Sequence, residues 1–282
     1  YEVTNSKTKE KFAMKAIALS NQFGTENTEK QQEIHIQSSL QHENIIRVHD
    51  YFKDENNLYF ILELCPNHSV SRLLKQKGQL SENETSEIIK QVLEAVNYMH
   101  HQNVLHRDLK LENFLIGADD KIKISDFGLS AKLKSKKERR LSVCGSRGYM
   151  APEMLSETND GYSFEADIWS IGVCTFTLLT GHEPFSSSDS LETERLIQAA
   201  HYNLPDSISA SAKDFIQSIF QVNPLCRPSA EKLLHHPFIT HETQSPHKKS
   251  HHTTDQITHK HSKDHKSFDK SSQSENDIPC YS

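Results

Sequence analysis

The 282 residues carry 32 Lys and Arg against 38 Asp and Glu, a formal net charge of −6, and 35% of them are hydrophobic. That balance lacks the strongly basic surface of a dedicated nucleic-acid binder. The longest uncharged stretch, residues 168–182, falls short of the roughly 20 residues that span a bilayer, so neither nucleic acid nor membrane is an expected partner.

In chain order, residues 11–19 read as a strand, because Phe12-Ala13-Met14-Lys15-Ala16-Ile17 partly alternates and lacks a breaker. Residues 26–40 read as a helix, with Ile34, Ile36 and Leu40 as core contacts. Residues 58–64 form an apolar run of strand length, interrupted only by Glu63. Ser81-x-x-Glu84 is a capping box, and Ile88, Ile89, Val92, Leu93, Val96 and Met99 then recur at helical spacing. Two short strands are predicted around residues 117–120, with Asp119-Asp120 at their turn. Residues 166–180 are apolar nearly all round, as a helix at the centre of a lobe should be, and residues 211–220 form an amphipathic helix. A small strand-rich segment therefore precedes a larger helical one, with the junction near Cys65-Pro66.

From His241 the periodicity stops. The tail is built of His, Lys, Ser, Thr and Asp, cannot bury enough apolar surface to offset its ordering entropy, and is expected to be disordered. Its seven histidines lack the four-ligand spacing of a zinc finger. Five cysteines, Cys65, Cys144, Cys174, Cys226 and Cys280, form no C-x-x-C pair. Their odd number argues against a disulfide framework and fits a reducing, intracellular setting, cytoplasmic or nuclear.

Three strings occur in order: His106-Arg107-Asp108 running on to Asn113, Asp126-Phe127-Gly128, and Ala151-Pro152-Glu153. Singly, an Asp in a loop is usually a turn former. Together and in this order the strings resemble the working part of a protein kinase catalytic domain. From Tyr1 to about Ile239 the chain is similar to eukaryotic protein kinases. The resemblance implies an α+β, two-lobed protein-kinase-like fold: an incomplete small β-rich amino-terminal lobe (residues 1–64), a helical carboxy-terminal lobe (65–240) and the disordered tail (241–282). It also implies ATP and Mg²⁺ as cofactors. Phosphoryl transfer needs positioning and charge neutralisation more than covalent chemistry. Asp108 is then the group that accepts the hydroxyl proton, and Lys110 bears on the transferring phosphoryl group. Asn113 and Asp126 offer the hard oxygen ligands that suit Mg²⁺. Lys15 would hold the α and β phosphates, with Glu33 as its ion-pair partner; Glu26, Glu29 and Glu43 lie nearby as alternatives.

By the same resemblance Ala13 and Leu115 sandwich adenine, Leu62 is the gatekeeper, and Glu63 to Cys65 supply the hinge. Asp167, in Asp167-Ile168-Trp169-Ser170-x-Gly172, anchors the catalytic loop, and Arg227 pairs with Glu153. Lys110 follows the Ser/Thr rather than the Tyr pattern, so protein Ser and Thr hydroxyls are the expected acceptors. Residues 63–70, 106–113 and 161–170 are most similar to polo-like kinases, although no polo box is expected in the tail. Tyr1-Glu2-Val3 resembles the strand after the glycine-rich loop. The chain is therefore expected to be truncated ahead of Tyr1, with that loop absent and turnover weakened. A catalytically impaired kinase-like scaffold or binding fragment is the alternative.

Ser142 lies two residues before Cys144-Gly145, the place of an activating phosphosite in related kinases. A phosphate there could pair with Arg107 and the neighbouring basic side chains. Arg139-Arg140-Leu141-Ser142 also suits an upstream basophilic kinase, with autophosphorylation as the competing route. Ser146 keeps a hydroxyl that could bridge Asp108 and Lys110.

Overall fold

Residues 11–18, free of breakers, form an inner strand of a four-stranded antiparallel sheet. A computed structural model describes residues 1–19, 35–156 and 160–241. Glu33, the first part of the predicted 26–40 helix and the tail from residue 242 lie outside these. The strands are β1 (Glu2–Thr4), β2 (Lys11–Ala18), β3 (Val48–Lys53) and β4 (Asn57–Leu62), ordered β1-β2-β4-β3. The β2–β4 register pairs Ala13 with Leu62 and Lys15 with Phe60, and Phe60 is fully buried.

The apolar run 58–64 leaves the ladder after Leu62. Glu63 N–H donates to Arg47 O at 2.9 Å, and its carboxylate meets the buried Lys123 ammonium at 3.0 Å, which turns the chain toward the helical body. Strand β3 has no alternating signature because it is an edge strand, exposed almost throughout and irregular between Val48 and Asp50.

The helical body contains α1 (Val70–Lys77), α2 (Glu82–His101), α3 (Glu165–Thr180), α4 (Ser190–Gln198), α5 (Ala210–Ile219), α6 (Ala230–Leu234) and α7 (Pro237–Thr240). The capping box closes α2 at its start: Glu84 N–H donates to Ser81 Oγ at 3.3 Å, and Ser81 N–H donates to Glu84 Oε2 at 3.0 Å. Such caps are worth about 1 kcal/mol. All six apolar positions predicted on this helix are buried, and the helix packs against α3. Every residue of α3 from Ala166 to Leu179 is buried. At its centre Trp169 stacks on Phe185, with ring centroids 5.3 Å apart, and tilts against Phe220 at 4.9 Å.

Two short antiparallel pairs frame the segment from His106 to Asn113: β5 (Val104–Leu105) with β8 (Ala131–Lys132), and β6 (Phe114–Ile116) with β7 (Ile122–Ile124). Strand β7 also ties sheet to body. Ile46 N–H donates to Ile124 O at 2.9 Å, and Ile124 N–H donates to Asn44 O at 2.8 Å. Among the described residues no helix is long and apolar enough to cross a membrane.

Candidate active site

Between β5 and β6 the chain must turn sharply, and one buried side chain fixes the turn. Asp167, on α3, accepts the N–H of His106 through Oδ2 at 3.0 Å and the N–H of Arg107 through Oδ1 at 2.9 Å. Arg107 sits at φ +71°, a left-handed conformation that costs a non-glycine residue about 1–3 kcal/mol. His100, from the end of α2, places Nε2 2.9 Å from Asp167 Oδ2. Burial pushes the Asp167 pKa up, but His100, His106 and the N–H groups outweigh it and hold the carboxyl below the usual carboxylate range.

His106 is fully buried, with its ring edge-on to Phe127 at 5.0 Å. Asp108 N–H donates to its Nδ1 at 3.3 Å, which assigns the ring hydrogen to Nε2, 3.2 Å from Ser125 O. Burial lowers the His106 pKa despite the neighbouring carboxylates.

This loop delivers Asp108 into a tight polar cluster. Lys110 Nζ lies 2.7 Å from Asp108 Oδ2 and 2.8 Å from Ser146 Oγ. Ser146 donates to Asp108 Oδ1 through both its hydroxyl (2.9 Å) and its N–H (3.0 Å). Asn113 Nδ2 donates to Asp108 O at 2.8 Å and reaches Oδ2 at 3.3 Å. Burial pushes the Asp108 pKa up, and the Lys110 and Ser146 hydrogen bonds and the Lys110 charge more than reverse it. The carboxylate is therefore held ionised, as an acceptor.

On the opposite side, Lys15 Nζ on β2 lies 2.8 Å from Asp126 Oδ1. Asp126 takes φ +63°, while Phe127 beside it is fully buried. Partial burial raises the Asp126 pKa, but the Lys15 hydrogen bond and charge, together with Gly128 N–H and His106, set it below the ordinary value. Ser125 N–H and Oγ both donate to Asn113 O, at 2.9 and 3.0 Å, so the Asp126 and Asn113 segments are clamped side by side. Ala13 and Leu62 are register partners, and Leu115 is part of β6, which bridges to Ser69. Burial, with Glu63 adding to it, pushes the Cys65 thiol up to about 12, so it stays uncharged.

The Asn113 amide nitrogen is engaged by Asp108, so its oxygen is the donor left for a cation. One amide oxygen and one carboxylate suit Mg²⁺, which takes few protein ligands and shares the rest with phosphates and water. Among the described residues no group of three or more His, Cys, Asp or Glu converges on a metal position.

The segment from Asp126 to Glu153 folds back over the loop that carries Arg107 and Asp108. Arg107 Nη1 donates to Ser142 Oγ at 3.0 Å, and Tyr162 Oη donates to Ser142 O at 2.6 Å. Gly145 approaches the loop backbone at φ +107°, where a Cβ would lie 2.5 Å from Arg107 O, so glycine is required there. At the segment's end Arg227 grips Glu153 with two parallel bonds of 2.7 Å and lies 4.9 Å over the Trp169 ring.

The structure thus gathers Asp108, Lys110, Asn113 and Ser146 into one cluster, joins Lys15 to Asp126, and joins Glu153 to Arg227. Two contributors carried no signal in the sequence. His100 is one of two adjacent histidines, His100-His101, at a helix end, and Tyr162 lies in a loop that pairs with Arg140.

A small antiparallel sheet set on a helical body, with the Asp108 cluster and the Lys15–Asp126 pair, has the form of a protein kinase domain. Residues 1–239 match the family described as protein kinase domain, and the chain belongs to that family. It is 41% identical over 251 residues to the probable serine/threonine-protein kinase CCRP1 of Zea mays, covering 87% of this chain and 40% of that protein. To the serine/threonine-protein kinase polo of Drosophila melanogaster it is 38% identical over 240 residues, 85% of this chain and 41% of the relative. To PLK2 of Mus musculus the figures are 36% over 240 residues, 85% and 35%. The chain thus spans between 35% and 41% of the length of these three relatives.

Proposed function

We propose that this chain is a serine/threonine protein kinase that transfers the γ-phosphate of ATP to Ser and Thr hydroxyls of intracellular protein substrates. The observation that carries the reading is the Asp108 carboxylate. It is buried, held ionised, and bonded to Lys110 and Ser146 beside the Asn113 amide. A substrate hydroxyl entering this cluster can donate to Asp108, and Lys110 can accompany the charge that moves. Lys15 binds and orients the triphosphate, while Asn113 and Asp126 hold the cation. Bound Mg²⁺ supplies neutralisation of phosphate charge. Ala13, Leu62, Leu115 and the Glu63–Cys65 backbone enclose the base, and Glu33 completes the Lys15 site.

Ser142 is the regulatory position in this reading. Its hydroxyl already rests on Arg107, and Arg139-Arg140 ahead of it suit an upstream basophilic kinase. The names of the relatives, all serine/threonine-protein kinases, support the same acceptor class.

Thermal unfolding with and without Mg-ATP tests the nucleotide site. At nucleotide about a hundredfold over its Kd the native state should gain about 2–3 kcal/mol. Lys15→Met and Asp126→Asn should each remove most of that gain. Stabilisation of the wild type without phosphate transfer to casein would favour a kinase-like scaffold, and no stabilisation would remove the nucleotide site.

A further inference from the structure

We propose that Glu183 selects protein substrates carrying a basic side chain, Lys or Arg, next to the phosphorylated Ser or Thr. The inference rests on the kinase reading and names the substrate class of that same site.

The starting point is a glycine with no conformational reason to be one. Gly148 lies two residues after Ser146, in the 3₁₀ turn Arg147–Tyr149, and its φ is outside the left-handed region. The three atoms nearest to a Cβ at that position would all belong to Glu183, with Oε2 at 2.6 Å, Cδ at 3.3 Å and Oε1 at 3.7 Å. Any side chain there would push the flexible end of Glu183 aside, and the glycine leaves the carboxylate against the turn. Glu183 comes from the loop after α3, so two separate parts of the chain converge to place that charge against Gly148, two residues along from Ser146, which bonds Asp108.

Among the described residues nothing neutralises the charge. Arg147, the adjoining cation, is committed to Glu194 at 2.7 Å. Lys110 is committed to Asp108 and Ser146. Among the described residues no cation and no hydrogen-bond donor pairs with the Glu183 carboxylate. Its closest charged influence is a like one, Glu112, the residue before Asn113. Partial covering of its carboxyl and that neighbour raise the Glu183 pKa, although the residue as a whole is exposed. Glu112 is better served, since Ser71 Oγ donates to it at 2.8 Å. Glu183 remains open to solvent and is therefore reachable by an incoming chain. An unmatched carboxylate beside the acceptor site gains a charge-assisted hydrogen bond only when a substrate brings the cation. It also penalises substrates that bring an acid.

The test uses serine peptides that carry one arginine at each position flanking the acceptor, a neutral parent peptide, and a peptide with glutamate in place of the favoured arginine. Binding to the full chain is read by fluorescence anisotropy. One arginine position should bind wild type about tenfold more tightly than the neutral parent, the scale of one hydrogen bond to a charged group. Glu183→Gln should erase that preference, and Glu183→Arg should transfer it to the glutamate peptide, a reversal that a merely structural role would not produce. Wild type that binds all peptides equally, or not at all, overturns the proposal. So does a preference unchanged in Glu183→Gln. Phosphate transfer to the same peptides, with Asp108→Asn as control, is scored separately. Absence of transfer from every peptide removes the kinase reading, while the binding comparison still decides the charge selection.

Discussion

Asp167 holds Arg107 in a left-handed backbone conformation, accepting its N–H through Oδ1 at 2.9 Å where φ is +71°. The other oxygen takes His106 N–H and faces His100. One buried carboxylate on the central helix therefore sets the path of the loop that presents Asp108.

Stability should depend on the ionisation of Asp167. Its folded pKa lies below its ordinary value, which in an unfolded chain is about 3.9. Between those two values the unfolded state binds more protons than the folded one, so stability rises with pH. The contribution is complete above the unfolded value and is lost as pH falls through the folded one. Urea denaturation at descending pH should show an acid limb below about pH 4 that is shallower in Asp167→Asn. At neutral pH that variant should be about 1–3 kcal/mol less stable, because an amide donor then faces backbone donors. An acid limb identical in both proteins would remove Asp167 from this role.

The Arg227–Glu153 fork joins the end of the segment from Asp126 to Glu153 to the helical body. The Arg227 side chain is wholly buried, and Glu153 is nearly so. Removing one partner leaves a buried charge uncompensated, at a cost of about 3–5 kcal/mol. Glu153→Ala should lower stability by that amount in a urea titration. Arg227→Lys should recover little of it, since a single ammonium cannot reproduce two parallel bonds. A loss below about 1 kcal/mol for Glu153→Ala, the scale of an exposed pair, would mean that the fork is not set in a dry environment.

Phosphorylation at Ser142 places a dianion where Arg107 already donates to the hydroxyl at 3.0 Å. The stronger bond should raise phosphate transfer about tenfold, as expected for one hydrogen bond to a charged group. Arg107→Gln should abolish the gain. Equal rates for the unphosphorylated, phosphorylated and Ser142→Ala proteins would separate this residue from regulation.

The helices that were legible in the sequence are those whose burial is one-sided or complete. The uninterrupted apolar character of α3 and the helical spacing in α2 follow from what those side chains must bury, and the capping box at Ser81 from the backbone N–H groups it satisfies; strand β2 was legible from its partial alternation and lack of a breaker, although none of its residues is fully buried. Strand β3 was not legible, because its residues face solvent at a sheet edge and carry no period. Helix α1 was not legible either; it is eight residues long and too short to show a repeat. In the site, the segment from His106 to Asn113 could be seen as one unit because its residues are contiguous. Lys15 and Asp126, 111 residues apart, could be joined only through the family resemblance. The approach of Glu183 to Gly148 had no local signature, since a glycine in a loop does not state what fills the space beside it.

The account depends most on Asp108 as the acceptor of the substrate hydroxyl proton. The direct measurement is the rate of γ-phosphate transfer from Mg-ATP to a serine peptide by wild type and by Asp108→Asn, at saturating nucleotide. The substitution keeps the side chain's shape and removes its basicity. The rate should fall by about 10²–10⁴-fold while Mg-ATP still raises the unfolding temperature. Equal rates in the two proteins would contradict the account.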